Sequence, residues 1–272
     1  MKECEDLFTY LDPDYLSSLK PSQVWEGLKT ILLSDKPSNF FYTLKELNLL
    51  NVLFPEIDAL FGVPQNPTHH PEIDCGIHTL MAVDRAAALN ANLSVRLAVL
   101  LHDLGKAITP SHLLPKHPGH EETGIPLVIE FCNRLQIPNS FKTLAITVCR
   151  NHLRCHRVLS MGPAAIMRTI ERVHGIHKPN KFYDFVLACK ADAQGRLGKE
   201  DIEYLPELFF KELMPKLLAV TGKPLVERGL KGDELIHLLR HDRIKVIATC
   251  EVEFKLNRVR LNQEATKLKY SK

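Results

Sequence analysis

Apolar residues recur at three- and four-residue steps along nearly the whole chain, and runs that alternate apolar with polar residues are scarce. A helix that buries one face needs a period near 3.6, whereas a half-buried strand needs a period of two. The chain is therefore expected to be all-α. Val24, Trp25, Leu28, Ile31 and Leu32 mark one helix face, with Pro21 where a first-turn proline is tolerated. Phe40, Phe41, Leu44, Leu47 and Leu50 mark the next helix, before Pro55 and the stretch from Gly62 to Pro71 break the pattern. Further helices are expected from about Gly76 to Asn90, and from about Val95 to Leu104, the latter stopped by Gly105. Others should span about 121–135, 138–155, 164–174, 182–193 and 205–220. A last one should run from Gly232 into the Arg258 region, while 109–119 reads as a loop.

Composition narrows little further. With 272 residues, 45% apolar and 25% charged, the chain is long enough for a substantial core and ordinary for a globular protein. A formal charge of +3 names no partner by itself. Met1-Lys-Glu-Cys-Glu-Asp6 carries acids where a signal peptide needs basic and then apolar residues, and no apolar run is long enough to span a bilayer. Seven cysteines without a CxxC pair do not form a disulfide framework, which points to a reducing, cytoplasmic setting and no membrane partner. Residues 1–20 read as a helix end and a short link, so an N-terminal partner domain is expected.

The sharpest chemical feature is Val95-Arg-Leu-Ala-Val-Leu-Leu-His-Asp-Leu-Gly-Lys106, an apolar helix that ends in His102-Asp103. Burying an imidazole beside a carboxylate without a partner costs several kcal/mol, and a divalent cation satisfies both. The bland alternative is a C-terminal histidine next to a solvated aspartate. His78, early in the preceding helix, can meet His102 across a packed face, and Asp192 ends another apolar helix in Lys190-Ala-Asp-Ala-Gln-Gly-Arg196. Two imidazoles and two carboxylates (His78, His102, Asp103, Asp192) leave coordination positions open. They suit Mn, Mg, Fe, Co or Ni better than closed structural zinc. Such a centre activates water and polarises a phosphoryl oxygen, so hydrolysis of phosphate esters is expected. Lys106, one turn on, either meets a phosphate or caps its helix, and Arg196 is a candidate phosphate contact. Asp103, Lys106 and Arg196 are thus the catalytic candidates. Arg96 reads as a salt-bridging structural residue.

The array H…HD…D resembles the HD superfamily of metal-dependent phosphohydrolases. Leu53-Phe-Pro-Glu-Ile-Asp-Ala-Leu-Phe-Gly-Val63, His70-Pro-Glu-Ile-Asp-Cys-Gly-Ile-His-Thr-Leu-Met81, Pro115-Lys-His-Pro-Gly-His120, Asn151-His152 and Ala191-Asp-Ala-Gln-Gly-Arg196 narrow the likeness. These segments, and more weakly Gly229-Leu-Lys-Gly-Asp-Glu-Leu235 and Arg243, look like the later part of bacterial CCA-adding enzymes (tRNA nucleotidyltransferases) with an HD domain. The resemblance implies a helical neck-like segment over 1–57, an HD domain over 58–195 and a helical tail over 196–272. It also implies phosphatase, 2'-nucleotidase or 2',3'-cyclic phosphodiesterase chemistry on nucleotides or RNA ends. The glycine-serine loop and paired aspartates of that family's nucleotide-transferring head are not in this sequence, so no nucleotide addition is expected from this chain alone. His120 and His152 match histidines of the family and are either ligands of a second metal or of phosphate, or surface residues. A member of that family carries an acid immediately after the second histidine, where this chain has Leu153, a departure that counts against a complete second metal site.

Two further patterns compete with this reading. Cys149, His152, Cys155 and His156 are spaced like zinc ligands, but on one helix Cys155 faces away from the others. Lys255, Arg258, Arg260, Lys267, Lys269 and Lys272 form a basic tail, either a stripe for tRNA phosphates or a solvated face. Lys255, Arg258 and Arg260 are the RNA-binding candidates. The second reading is a non-catalytic tRNA-binding half that works with a separate nucleotidyltransferase head.

Overall fold

The computed structural model describes residues 12–68 and 70–270, with side chains through Leu261. Of the expected features, residues 1–11, Lys272 and the side chains of Lys267 and Lys269 lie outside what is described. Among the described residues there is no sheet, only a single antiparallel bridge between Pro64 and Asp74.

The chain begins with short α1 (Pro13–Ser18) and then α2 (Pro21–Leu33), which buries Trp25, Leu28 and Leu32. The next apolar stripe does not form one helix. It divides into α3 (Ser38–Glu46) and α4 (Leu50–Leu53), because Asn48 adopts φ +57° between them. Asparagine tolerates that left-handed conformation better than most residues, and it ends a helix. Next come α5 (Pro55–Asp58) and, past the proline-rich break, α6 (Cys75–Ala88), capped by Asp74 accepting from the Ile77 amide at 2.9 Å.

Helix α7 (Leu93–Leu101) is capped by Asn92 and is buried from Val95 to Leu101, as expected of a helix apolar on all sides. It stops three residues before the expected end. His102 is its C-cap, and a 3-10 turn over Leu104–Ile108 carries Gly105 and Lys106 onward. Arg96 is structural, but its partners are not carboxylates: it donates to the carbonyls of Ala91, Leu32 and Ser34 at 2.7–2.8 Å. The remaining helices are α8 (His120–Arg134), α9 (Asn139–His156), α10 (Pro163–Arg172), α11 (Pro179–Gln194), α12 (Leu205–Ala219), α13 (Lys223–Glu227) and α14 (Gly232–Tyr270).

These elements fall into two compact units. One takes the chain up to Leu153 together with Tyr183–Glu203; its core includes Leu28, Phe41, Phe54, Phe131 and the length of α7. The other takes Arg154–Phe182 and the chain from Tyr204 onward, around Phe182, Phe209, Phe210 and Phe254. Phe182 meets Phe210 edge-on with centroids 4.9 Å apart, and Phe209 meets Phe254 at 5.5 Å. No helix among the described residues is long and apolar enough to cross a membrane.

Candidate metal centre

All four expected ligands converge within the first unit. His78 on α6 and His102 at the end of α7 bring their ring centroids to 5.7 Å. His78 Nε2 lies 3.1 Å from Asp192 Oδ1 and 3.9 Å from Asp103 Oδ2, and His102 Nε2 lies 3.1 Å from Asp103 Oδ2. His120 and His152 join them. Asp103 Oδ1 is 3.1 Å from His120 Nε2 and 3.6 Å from His152 Nε2, and the two ring nitrogens are 3.4 Å apart. Both histidines are buried, at 6% and 2% exposure, so the surface reading of this pair is overturned. Asp103 therefore stands between two groups of possible ligands, His78–His102–Asp192 and Asp103–His120–His152.

Close backbone packing makes this possible. A Cβ on Gly105 would sit 2.1 Å from the His120 carbonyl oxygen and 2.7 Å from the Gly124 amide, so the turn after Asp103 rests directly on the start of α8. Gly105 is thus present for close approach and not for a left-handed turn. A Cβ on Gly195 would meet the Ala82 backbone at 2.3 Å, so the end of α11 that carries Asp192 lies against α6.

The hydrogen bonds fix the imidazoles' tautomers. A carbonyl only accepts, so His102 Nδ1 donates to Val99 O at 2.7 Å and His120 Nδ1 to His117 O at 2.8 Å. His152 Nδ1 likewise faces Cys149 O at 3.0 Å. In the neutral ring each Nε2 is then a lone pair, and these lone pairs point at carboxylate oxygens and at one another. His102 Nε2 and Asp103 Oδ1 are buried with no hydrogen-bond partner despite neighbours at 3.1 Å, as acceptors facing acceptors are. A cation resolves every one of these facing acceptors, so the residues present fit a divalent metal.

The electrostatics agree. Burial alone would raise the Asp103 carboxyl, but His102 and the Lys106 ammonium outweigh it and hold it well below the usual carboxylate range. Burial works against a charged His102, yet Asp103 and Asp192 prevail and push it up, a sign of the negative charge gathered at that ring. His152, by contrast, is pushed down to about 3 by burial, only partly offset by Asp103, and stays neutral as a ligand must be.

Lys106 does not cap its helix. Its Nζ lies 2.6 Å from Asp103 Oδ2 and donates to Gln65 Oε1 at 2.9 Å. Arg196 Nη2 lies 3.4 Å from Asp192 Oδ1. The zinc-like spacing comes apart: Cys149 Sγ turns to the Glu121 carbonyl, while Cys155 and His156 both face the Tyr204 hydroxyl. The six described cysteines are all free and buried.

Three neighbours of the centre were not singled out from the sequence. Gln65 holds Lys106, and His117 ties the 109–119 loop down through Thr109 Oγ1 at 2.8 Å and Pro64 O at 3.0 Å. Glu72 lies 3.0 Å from the Nδ1 atoms of both His70 and His78. All three sit in irregular segments where periodicity gives no signal.

Against known families, residues 76–179 match the HD domain. This chain carries an HD domain. The matched stretch holds His78, His102, Asp103, Lys106, His120 and His152, while Asp192 and Arg196 lie beyond it. Residues 12–61 match a family described as "Probable RNA and SrmB- binding site of polymerase A". The chain is 43% identical over 240 residues to a Multifunctional CCA protein of Acinetobacter baumannii (strain AYE), covering 88% of this chain and 58% of that protein. It is 41% identical over 236 residues to the Multifunctional CCA protein of Teredinibacter turnerae, covering 86% and 57%, and 42% identical over 239 residues to that of Acinetobacter baylyi, covering 88% and 58%. The chain thus spans under two thirds of the length of the curated relatives it matches.

The second unit holds a different cluster of charge. Arg154 Nε donates to Thr169 Oγ1 at 3.2 Å, which sets it beside α10, where Arg168 and Arg172 share a face. Burial first, and then Arg172, Arg168 and Arg157, hold the Arg154 guanidinium below its usual value. Among the described residues no carboxylate pairs with Arg154, Arg168 or Arg172. Of the expected tail contacts, Lys255 is paired with Glu251 on its own helix, Arg258 is partly buried and Arg260 is exposed.

Proposed function

We propose that this chain is a divalent-metal-dependent phosphohydrolase acting on phosphate esters of nucleotides or RNA ends, linked to tRNA maturation or repair. The observation that carries the reading is Asp103, set between imidazole Nε2 atoms whose Nδ1 protons are committed elsewhere. When bound, a divalent cation supplies a Lewis acid that polarises a phosphoryl oxygen and lowers the pKa of water. The mixed donors suit Mn, Mg, Fe, Co or Ni.

The protein's own groups position and stabilise. His78, His102, Asp103 and Asp192 hold the cation, and His120 and His152 receive a second cation or a phosphoryl oxygen. Lys106, pinned between Asp103 and Gln65, offers fixed positive charge to a phosphoryl group, and Arg196 offers more from beside Asp192. Burial of the ligands keeps bulk water from screening these charges.

Metal analysis of the purified protein, paired with hydrolysis of 2',3'-cyclic AMP and p-nitrophenyl phosphate, tests the reading. Bound metal is expected, with hydrolysis lost on chelation and restored by Mn²⁺, Ni²⁺, Co²⁺ or Mg²⁺. A protein that takes up none of these metals, or that hydrolyses neither ester when loaded, would sink it.

RNA binding is a second, compatible reading, and the arginine cluster favours it. Guanidinium groups that repel one another and lack carboxylate partners suit a run of phosphates. The match of residues 12–61 and the relatives' name, Multifunctional CCA protein, also support an RNA partner. Charge reversal at Arg168 and Arg172 together should weaken binding of a labelled tRNA at least about tenfold at low salt. The slope of log affinity against log salt should drop by about 2. An unchanged slope in that variant, with its helix content retained, would remove these arginines from the RNA contact.

A further inference from the structure

His70, Glu72 and His78 form a titratable group beside the four expected ligands, close enough together to be taken for a metal site of their own. The chemistry of His78 argues otherwise. Its Nε2 faces Asp192 and Asp103, and a nitrogen that is to bind a cation carries no proton. The single proton of the neutral ring must then sit on Nδ1, which is buried without a formed hydrogen bond and has Glu72 Oε1 3.0 Å away as the acceptor within reach. A nitrogen bearing that proton is not a ligand, so a cation between His78 and Glu72 would compete with the one at Asp192.

His78 needs such a partner more than its neighbours do. His102, His120 and His152 each commit Nδ1 to a main-chain carbonyl. His78 has no such carbonyl, and its Nε2 lies 3.1 Å from Asp192 Oδ1 in hydrogen-bonding geometry. Left alone, the ring would place its proton on Nε2 and bond Asp192 directly. That closed arrangement uses up one ligand nitrogen and one ligand oxygen together. A carboxylate at Nδ1 shifts the balance back.

The chain goes to some length to supply one. The Glu72 side chain is 2% exposed, although its neighbours Pro71 and Ile73 are exposed. Ile73 has φ +63°, a left-handed conformation that is a true outlier for a β-branched residue and marks local strain. The same carboxylate accepts from His70 Nδ1 at 3.0 Å and from the Leu197 amide at 3.4 Å, so it also ties the α6 start to the chain just past Arg196. We propose that Glu72 is a positioning residue that holds His78 in the metal-receptive tautomer, with Ile73 strained to bring it inward. The role rests on the metal-centre reading above, although its first readout does not.

Long-range 1H–15N NMR of the metal-free full chain reads the tautomer, with His78→Gln used to assign the ring. The wild type should carry the His78 proton on Nδ1, and Glu72→Ala should move it to Nε2. Mn²⁺ affinity, followed by the EPR signal of free Mn²⁺, should fall about 10–100-fold in Glu72→Ala. Glu72→Gln keeps an acceptor oxygen and should recover most of that loss. Glu72→Leu, similar in size and without an acceptor, stands in if the alanine variant does not fold. Ile73→Gly, which relieves the strained backbone, should raise the melting temperature. A His78 proton that stays on Nδ1 without Glu72, or affinity within about threefold of wild type in Glu72→Ala, overturns the inference. A wild type that shows the Nδ1 proton but binds no Mn²⁺ overturns the phosphohydrolase reading and leaves the tautomer assignment standing.

Discussion

Asp103→Ala is expected to lower metal-dependent hydrolysis of a phosphate ester about a thousandfold or more, equivalent to about 4 kcal/mol of transition-state stabilisation. Bound metal should fall with it. Asp103 touches four groups of the site: one carboxylate oxygen meets His102 and Lys106, and the other meets His120 and His152. Removing it leaves a buried ammonium with Gln65 alone and strips negative charge from the place where a cation must sit. Asp103→Asn separates charge from shape, since the amide fills the same space but lacks the charge that offsets a divalent cation. It should lose nearly as much activity and keep its helical circular dichroism. His102→Ala should behave like Asp103→Ala, because it removes a ligand from the same oxygen. Either variant retaining full metal content and turnover would place the chemistry elsewhere.

The centre was legible in the sequence where burial made a polar residue unfavourable by itself. His102 and Asp103 end an apolar helix and Asp192 ends another, so each demanded a partner before any contact was known. Glu72 gave no such sign. It lies in a proline-rich break without periodicity, and its inward course depends on a left-handed isoleucine that no propensity foretells. The long helices were legible for the same reason as the fold class, a sustained 3.6 period. The break at Asn48 was not, because Leu47 and Leu50 continue the apolar stripe straight across it.

Lys106 and Gly105 show a subtler limit. A lysine after a helix end reads equally well as a cap or as a phosphate contact, and only the fold brings Asp103 and Gln65 to its ammonium. A glycine after a helix reads as a turn, because a left-handed residue is the commonest local reason for one. The other reason, close approach of a second backbone, is a property of chain segments distant in sequence. Nothing near Gly105 announces His120 and Gly124.

That second reason makes Gly105→Ala the most damaging small substitution expected in this chain. The added methyl would meet three backbone atoms, His120 O at 2.1 Å, Gly124 N at 2.7 Å and His120 C at 2.9 Å. Backbone cannot rotate aside as a side chain does, so the turn after Asp103 must lift away from α8. The separation falls on the contact that sets His120 beside Asp103 at 3.1 Å. A loss of about 3 kcal/mol or more is expected, beyond ordinary overpacking, which lowers the melting temperature by about 6–12 °C for a chain of this size. Hydrolysis should suffer well below that temperature, because a site displaced by a fraction of an ångström no longer holds its ligands together. Gly27→Ala is the contrasting case, in exposed mid-helix with nothing within 4 Å of the new Cβ. It should stabilise the protein by about 1 kcal/mol through helix propensity and leave hydrolysis unchanged. Equal melting temperatures for the two variants would show that the turn and α8 do not pack backbone to backbone, and the placement of His120 at Asp103 would fall with that contact.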